Sequence, residues 1–271
     1  MIFTSSLSQI PNEKQIRKEL KKVIFGKKVT CPHCGRACHV QTLKKDKLWR
    51  CRKCRNRFSL TSVTWMRGMK IPLECLYALI WCWQKQINVQ QACNLTGLSI
   101  PTVRRYYELF RDHLSLDAEV ILEDKVQMDE AFVKGAFIIG MKDIKAKRIK
   151  LEVVKKKSPE KHDAMELIFR YVKPGSTLQT DGGSIYRGCE KWWPLPHKRD
   201  IHRRFEFGLT SEIEGIWANL RTFIRRMYHH VTIEKLPKVV AEFEARFSQK
   251  DIFDNPLSFL KNSLSCVRLA L

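Results

Sequence analysis

The stretch Gly175–Tyr186 reads Gly-Ser-Thr-Leu-Gln-Thr-Asp-Gly-Gly-Ser-Ile-Tyr, and the fold can be worked out from it. A short β-prone run ends on a carboxylate, Asp181, which two glycines follow at once. A strand that stops at an aspartate before a Gly-Gly turn presents the side chain at the carboxyl edge of a sheet, where α/β proteins bind ligands. Taken alone, the stretch fits an ordinary Asp-Gly turn better. Two more acids, Asp129 upstream and Glu214 downstream, favour a set of three metal-binding carboxylates.

From residue 125 onward the pattern is α/β. The predicted elements are strands over Lys125–Val133, Ala136–Met141 and Arg148–Val154, a helix over Pro159–Val172, and a fourth strand over Gly175–Thr180. Three strands, a helix, a strand and further helices is the order of an RNase H-like fold. That fold puts one acid on the first strand, here Asp129, one after the fourth strand, here Asp181, and one on a later helix. We therefore predict an α/β, RNase H-like catalytic domain, with a mixed sheet and flanking helices.

The later helix is predicted over Leu209–His230, because its apolar residues recur at helical spacing. Glu214 borders this apolar stripe, so its carboxylate can point at the site while the stripe packs on the sheet. Glu212 borders the other flank and is the competing candidate. The purely structural alternative for Glu214 is a solvent-exposed ion pair with Arg221.

The net charge of +22 on 271 residues is unevenly distributed. Residues 1–115 carry 22 Lys and Arg against 6 Asp and Glu, whereas the remainder carries 28 against 22. A first half this basic indicates a polyanionic partner, and nucleic acid fits better than a membrane surface because the charge is not confined to one amphipathic helix.

Two Cys-x-x-Cys pairs, Cys31/Cys34 and Cys51/Cys54, are separated by sixteen residues. This spacing predicts one structural Zn²⁺ ion bound by four thiolates in a zinc ribbon. Basic residues surround the pairs, so the ribbon is suited to gripping a phosphate backbone. The candidate DNA contacts here are Lys44, Lys45, Arg52 and Lys53. Cys38, His33 and His39 are the less favoured alternative ligands. The other five cysteines have apolar neighbours and are interpreted as buried core thiols: Cys75, Cys82, Cys93, Cys189 and Cys266.

Residues 71–114 are predicted to be helical. Val89–Leu95, a turn around Gly97 and Ile100–His113 have the pattern of a helix-turn-helix. The second helix carries Arg104 and Arg105 near its N-terminus, where a recognition helix reaches base edges. A helical hairpin that only packs is the alternative, and the neighbouring basic zinc ribbon favours DNA binding.

The predicted domain order follows from these motifs. We expect a basic lead-in at 1–28, a zinc ribbon at 29–62, a helix-turn-helix region at 70–114, the RNase H-like domain at 122–250 and a C-terminal tail at 251–271. No apolar run reaches membrane-spanning length and the N-terminus lacks a signal-peptide core. We therefore expect a cytoplasmic (nucleoid) location in a prokaryote or a nuclear one in a eukaryote, and no membrane partner.

Three converging carboxylates in a basic protein suit divalent cations. Two Mg²⁺ (or Mn²⁺) ions about 3.5–4 Å apart stabilise the attacking and leaving oxygens of an in-line phosphoryl displacement. In this hypothesis Asp129 and Asp181 bridge or flank the metals and Glu214 binds the second ion. Water attack then nicks DNA, and attack by the freed 3′-hydroxyl joins it to a target.

This order of domains resembles the Merlin-type DDE transposases and their bacterial insertion-sequence relatives with an ISXO2-like transposase domain. The matching motifs are Cys31-Pro-His-Cys34 and Cys51-x-x-Cys54, Asp129-Glu130, Thr180-Asp181 with Tyr186 following, and Ile213-Glu214-Gly-Ile-Trp217-Ala-Asn-Leu-Arg221. The resemblance implies an RNase H-like core, binding to terminal inverted repeats, Mg²⁺-dependent strand transfer into target DNA, and a homodimer or larger synaptic complex.

Two positions depart from the relatives. Arg221 stands where they usually carry Lys, so the charge for a phosphate contact is kept, although Arg and Lys are not interchangeable. Ser211 stands where some relatives carry a catalytic Asn, which leaves the third catalytic position open between Glu214 and a neighbour. A domesticated, non-catalytic DNA-binding protein and a plain nuclease or resolvase are the alternative functions.

Overall fold

The computed structural model describes residues 10–37, 40–43, 48–62, 64–114, 120–154, 156–200 and 209–264. The chain divides into two compact units, Met1–Ser115 together with Asp251–Leu271, and Leu116–Lys250. Within the described ranges, no helix has both the length and the hydrophobicity needed to cross a membrane.

The first unit begins with helix α1 (Glu13–Phe25), which Asn12 and Gln15 cap reciprocally. Strands β1 (Val40–Leu43), β2 (Leu48–Cys51) and β3 (Arg57–Phe58) follow as a small antiparallel sheet. Its core is little more than aromatic rings and thiols: Trp49 lies 5.6 Å from Phe25 and 5.8 Å from Phe58, between ring centroids. So small a core indicates that the ribbon needs a further stabilising element, such as a bound metal.

Helices α2 (Leu73–Gln84), α3 (Val89–Thr96) and α4 (Ile100–Asp112) confirm the predicted helical region and its turn. Gly97 ends α3 in the left-handed conformation, with φ of 69°. Ser99 occupies the N-cap position of α4, but its hydroxyl lies 2.9 Å from that of Thr102 and makes no capping bond to the backbone.

The C-terminal residues from Asp251 on belong to this first unit, although the sequence set 251–271 apart as a tail. Helix α8 (Pro256–Ser263) places the ring of Phe259 5.1 Å from Trp83 and 5.5 Å from Phe110, between centroids. The amide of Gln84 donates to two carbonyls of the same segment, at 2.7 and 2.8 Å. The large aromatic core of the helix-turn-helix is therefore completed by a segment distant in sequence.

The second unit contains a five-stranded mixed sheet among its described residues. Its strands are β4 (Lys125–Val133), β5 (Ala136–Asp143), β6 (Arg148–Val154), β7 (Thr177–Thr180) and β8 (His197–Arg199), in the spatial order β6-β5-β4-β7-β8. β4, β5 and β6 are antiparallel, whereas β7 runs parallel to β4 and to β8. This order and these directions are those of the predicted RNase H-like fold. The sequence did not reveal β8, because His-Lys-Arg shows no apolar alternation.

Helices cover both faces of the sheet. They are α5 (Lys161–Tyr171), α6 (Ser211–Met227) and α7 (Leu236–Ser248). Successive residues of β4 point to opposite faces. Val126 and Met128 join the core cluster that contains Ile168 of α5, while Gln127 accepts two hydrogen bonds of 3.0 Å from backbone amides at the start of α6. The pleat of β4 thereby decides which acids meet α6.

Candidate active site

The two aspartates predicted to bind metal come together at an open edge of the sheet. β7 pairs with β4 only as far as Gln127, which lies opposite Gln179. Extending this register by two residues sets Asp129 beside Asp181, just beyond the end of β7 at Thr180. β4 continues to Val133 while β7 ends at Thr180, so the side of β4 beyond Thr180 is not paired with β7 and leaves space for side chains.

Glu130 completes the acidic cluster. Asp129, Glu130 and Asp181 each place a carboxylate oxygen within 4.8 Å of the others. Asp129 and Glu130 are consecutive on a strand, so their side chains point to opposite faces of the sheet. Their carboxylates can approach each other only on the side of β4 that β7 leaves unpaired beyond Thr180. The hydroxyl of Tyr186, which is fully buried, donates to Glu130. The sequence contains both partners of this contact in its motifs, namely the Asp129-Glu130 pair and Tyr186, five residues after Asp181.

Asp129 is oriented by the helix above it. The indole Nε1 of Trp217 on α6 donates to its Oδ2 at 2.9 Å. The ring of Trp217 lies on Gly140, the residue of β5 that pairs with Asp129. A Cβ on Gly140 would stand 2.4 Å from the tryptophan ring, so only glycine lets the ring approach this closely.

The two glycines after Asp181 serve the turn that holds it. The amide of Gly183 donates to Oδ1 of Asp181 at 2.9 Å. Gly182 has a φ of 81°, and a Cβ on it would lie 2.9 Å from the carbonyl oxygen of Asp200. Any larger residue at Gly182 would therefore strain the backbone and move the aspartate.

The electrostatics of the cluster favour a cation. Burial raises the pKa of Asp129, and the negative charge of Asp181 raises it further, while the Trp217 hydrogen bond acts in the opposite direction. Burial likewise raises the pKa of Glu130, against the hydrogen bond from Tyr186. Half-buried carboxylates at this separation repel one another when charged. A divalent cation with oxygen ligands, such as Mg²⁺ or Mn²⁺, suits this set of donors.

Glu214 lies in the first turn of α6 and is exposed. Its Oε1 accepts a hydrogen bond of 3.1 Å from the hydroxyl of Thr210. Glu214 is not one of the three residues of the acidic cluster, but its charge contributes to raising the pKa of Asp129. It also precedes Trp217 by three residues, which puts both side chains on the same helix face.

Glu212, the competing candidate, is engaged elsewhere. It forms an ion pair with Lys142 of β5, and the hydrogen bond from this lysine lowers the pKa of Glu212. A carboxylate already neutralised by a buried ammonium is a poor metal ligand, so the structure favours Glu214 over Glu212.

Arg221 lies two turns further along α6 and lines a groove of about 340 Å³. Arg225, Lys134 and the exposed ring of Phe132 line the same groove. The groove is lined by residues of β4 and α6 that follow Asp129 and Glu214 along their elements, and by Lys134 just after β4. Its cations suit a phosphate backbone that passes the carboxylates.

The four cysteines of the ribbon converge. The Sγ atoms of Cys31 and Cys54 are 3.5 Å apart, those of Cys34 and Cys51 are 3.6 Å apart, and all four lie within 4.8 Å of one another. Sulfurs at 2.3 Å from a tetrahedral Zn²⁺ lie about 3.8 Å from each other. Hydrogen bonds from the backbone N–H groups of Cys54 and Lys53 lower the pKa of the Cys51 thiol to about 6, which favours the thiolate that zinc binds.

The predicted DNA contacts are exposed where the structure describes them. Arg52 and Lys53 lie in the second cysteine knuckle, and Arg104 and Arg105 lie on the first turns of α4. Lys44 and Lys45 fall outside the described residues.

Comparison with known proteins agrees with these observations. Residues 11–57 match the family model of a transposase zinc-ribbon domain, and residues 136–248 match that of an ISXO2-like transposase domain. No curated protein matches the chain. Among solved structures, the catalytic core domain of BIV integrase is similar, with 14% sequence identity, a TM-score of 0.33, and coverage of 44% of this chain and 82% of that one.

Proposed function

We propose that this chain, which carries a transposase zinc ribbon and an ISXO2-like DDE transposase domain, cuts DNA at transposon ends and joins it to a target. The observation that carries this proposal is the meeting of Asp129 and Asp181 at the open edge of β4. Each carboxylate accepts a hydrogen bond from its surroundings, but those bonds do not neutralise the negative charges that the cluster brings together.

The reaction consists of two in-line displacements at phosphorus, a hydrolysis followed by a transesterification. Water attacks a phosphodiester at the transposon end and frees a 3′-hydroxyl; that hydroxyl then attacks a target phosphodiester, and the displaced 3′-oxygen of the target leaves. A bound Mg²⁺ (or Mn²⁺) ion would stabilise charge on the attacking and leaving oxygens. Asp129 and Asp181 would hold it, and Glu214, on the same helix as the Trp217 side chain that contacts Asp129, would be the third ligand.

Other residues hold and orient the substrate. Arg221 binds phosphate next to the acids, and the groove it lines keeps the backbone in line with them. Trp217 fixes the carboxylate of Asp129, and Tyr186 fixes that of Glu130.

DNA recognition belongs to the first unit in this proposal. The exposed Arg104 and Arg105 on α4 contact base edges of double-stranded terminal repeats, and Arg52 and Lys53 of the zinc ribbon contact phosphates. Two transposon ends must be cut together, so the working form is a homodimer or a larger synaptic complex on transposon-end and target DNA.

The proposal is tested by strand transfer. The chain is mixed with labelled duplexes from the DNA that flanks its gene and with a target plasmid, in Mg²⁺ or Mn²⁺. Joined products are expected for the wild type and for Asp254→Asn, which alters an exposed acid outside the site, and are expected to be absent for Asp181→Asn. Tight binding without joining in either metal would support the non-catalytic DNA-binding alternative, and cleavage without joining would support a nuclease or resolvase.

A further inference from the structure

A second cluster of metal-binding side chains lies on the other side of β7. Cys189 and Glu190 belong to a 3₁₀ turn, Cys189–Lys191, and His197 begins β8. Each offers one ligand atom within 4.8 Å of the other two. Oε2 of Glu190 lies 3.5 Å from Nδ1 of His197 and 3.6 Å from Sγ of Cys189.

His197 is buried with an unsatisfied nitrogen. Its side chain is 2% exposed, and Nδ1 has no hydrogen-bond partner in the part of the chain that the structure describes. Nε2 lies 2.9 Å from the hydroxyl oxygen of Thr180. Leaving a buried polar atom without a hydrogen bond is unfavourable, so Nδ1, which lies 3.5 Å from Oε2 of Glu190, needs a further partner.

The distances fit tetrahedral zinc. With Zn–S of about 2.3 Å and Zn–N or Zn–O of about 2.0–2.1 Å, a sulfur and an oxygen ligand lie about 3.6 Å apart, and a nitrogen and an oxygen ligand about 3.4 Å apart. The separations of Oε2 of Glu190 from Sγ of Cys189 and from Nδ1 of His197, 3.6 and 3.5 Å, agree with these values. The donors also exclude Mg²⁺ as the natural occupant, because a thiolate and an imidazole prefer a softer ion.

We propose that Cys189, Glu190 and His197 form a second zinc site, separate from the ribbon and from the acidic cluster, with a water molecule as the fourth ligand. Glu190 is 42% exposed and gives the ion a path from solvent. Cys189 is fully buried and ties the ion to the core that surrounds Tyr186.

The site is connected to β7, the strand that ends at Thr180, one residue before Asp181. A histidine that binds metal through one nitrogen donates its other N–H to a nearby acceptor, and with Nδ1 on the metal, Nε2 would donate to the hydroxyl of Thr180, the residue before Asp181. The amide of Gly182 donates to the same hydroxyl at 3.3 Å. Zinc would therefore hold β8 to β7 and stiffen the turn that carries Asp181. The importance of this stiffening for catalysis rests on the proposed function, whereas the zinc site itself does not.

Zinc content tests the site independently of DNA chemistry. The full chain is saturated with Zn²⁺, freed of loose metal by gel filtration and assayed for zinc per chain. We expect about two ions for the wild type, one for Cys189→Ser, one for Glu190→Gln, and two for the matched control Cys93→Ser, another buried thiol. Glu190 is half-exposed, so its variant is expected to fold even where Cys189→Ser does not.

The control for the acidic cluster is Asp181→Asn, which is expected to retain two ions. A wild type with one ion would overturn the proposal, as would a second ion that survives both Cys189→Ser and Glu190→Gln. A second ion lost in Asp181→Asn would belong to the acidic cluster and would overturn it as well. With Co²⁺ in place of Zn²⁺, the second site should add a weak thiolate-to-cobalt band beside the strong bands of the four-cysteine site.

Discussion

The indole nitrogen of Trp217 and the carboxylate of Asp129 are joined by a hydrogen bond of 2.9 Å that links α6 to the first strand of the RNase H-like sheet. Trp217 therefore belongs to the apolar face of its helix and also fixes a proposed metal ligand. Trp217→Phe keeps an aromatic ring at this position but removes the indole N–H that donates to Asp129. Because residues that orient metal ligands typically account for 10–100-fold in metal affinity, we expect the Mg²⁺ concentration for half-maximal strand transfer to rise about 10–100-fold. Trp192→Phe, at a 67% exposed tryptophan, is the control and should leave it unchanged.

Gly140 tests the same contact from the opposite side. An alanine Cβ would lie 2.4 Å from the ring of Trp217 and 2.9 Å from Cδ2 of Leu151, so the ring must move. We expect Gly140→Ala to lower the free energy of unfolding by about 1–3 kcal/mol and to weaken strand transfer. Gly215→Ala, in a helix with open space around it, should stabilise slightly. Equal unfolding midpoints for the two variants in denaturant would contradict the packing described.

The acidic cluster predicts a pH-dependent stability. Burial raises the pKa of Asp129 and Glu130 in the folded state. Each protonated carboxyl therefore favours folding at low pH, and this contribution is lost as the pH rises through the folded-state pKa. Without added Mg²⁺, Asp129→Asn should melt above the wild type at pH 7, and the difference should shrink as the pH is lowered.

Mg²⁺ should raise the melting temperature of the wild type at pH 7 and have little effect on Asp129→Asn, because the cation binds only the charged cluster. Thermal unfolding at several pH values measures both effects. Chelators are to be avoided, since they would strip the zinc ribbon. A variant that melts below the wild type at pH 7 without Mg²⁺ would show that the free carboxylate stabilises the fold.

Glu214 and Glu130 compete for the third position in the metal site. Glu130 already accepts a hydrogen bond from Tyr186, whereas Glu214 is exposed and its charge contributes to raising the pKa of Asp129. We expect Glu214→Gln to reduce strand transfer by about 100-fold or more, as loss of a group that stabilises transition-state charge does. Glu130→Gln keeps an acceptor for the Tyr186 hydroxyl and should retain most activity. If Glu130→Gln loses more strand-transfer activity than Glu214→Gln, Glu130 is the third ligand instead.

The C-terminal segment should control DNA binding through the helix-turn-helix core. Phe259 is fully buried between Trp83 and Phe110. Phe259→Ala should cost about 3–5 kcal/mol of stability in the first unit, because it leaves a cavity. Phe169→Ala, at a 47% exposed ring of the second unit, is the control. The affinity of Phe259→Ala and of the wild type for transposon-end DNA is measured at a temperature at which the first unit of the variant is unfolded. Equal affinities would show that DNA binding does not depend on this core.

Several features were predictable because their signals are local. The Cys-x-x-Cys spacing gave the ribbon site, and hydrophobic periodicity gave the bounds of β4, β6 and the helices to within a few residues. Asp181 was predictable because a strand, an acid and two glycines stand in one short stretch. Strand β8 was missed, as three polar residues carry no periodic signal, and so was the place of Phe259, which packs on a ring 176 positions away in sequence.

The sequence by itself determined the order of zinc ribbon and transposase domain, the four cysteines that converge and the two aspartates that meet, because each signal depends on residues close together in the chain. Only the tertiary structure decided which carboxylates meet. The pleat of β4 and the early end of β7 bring Glu130 to the cluster. Glu212 is engaged in an ion pair with Lys142, and Gly140 leaves room for Trp217 to reach Asp129. These outcomes depend on strand register and on close packing between elements, and neither quantity is encoded in any short stretch of sequence.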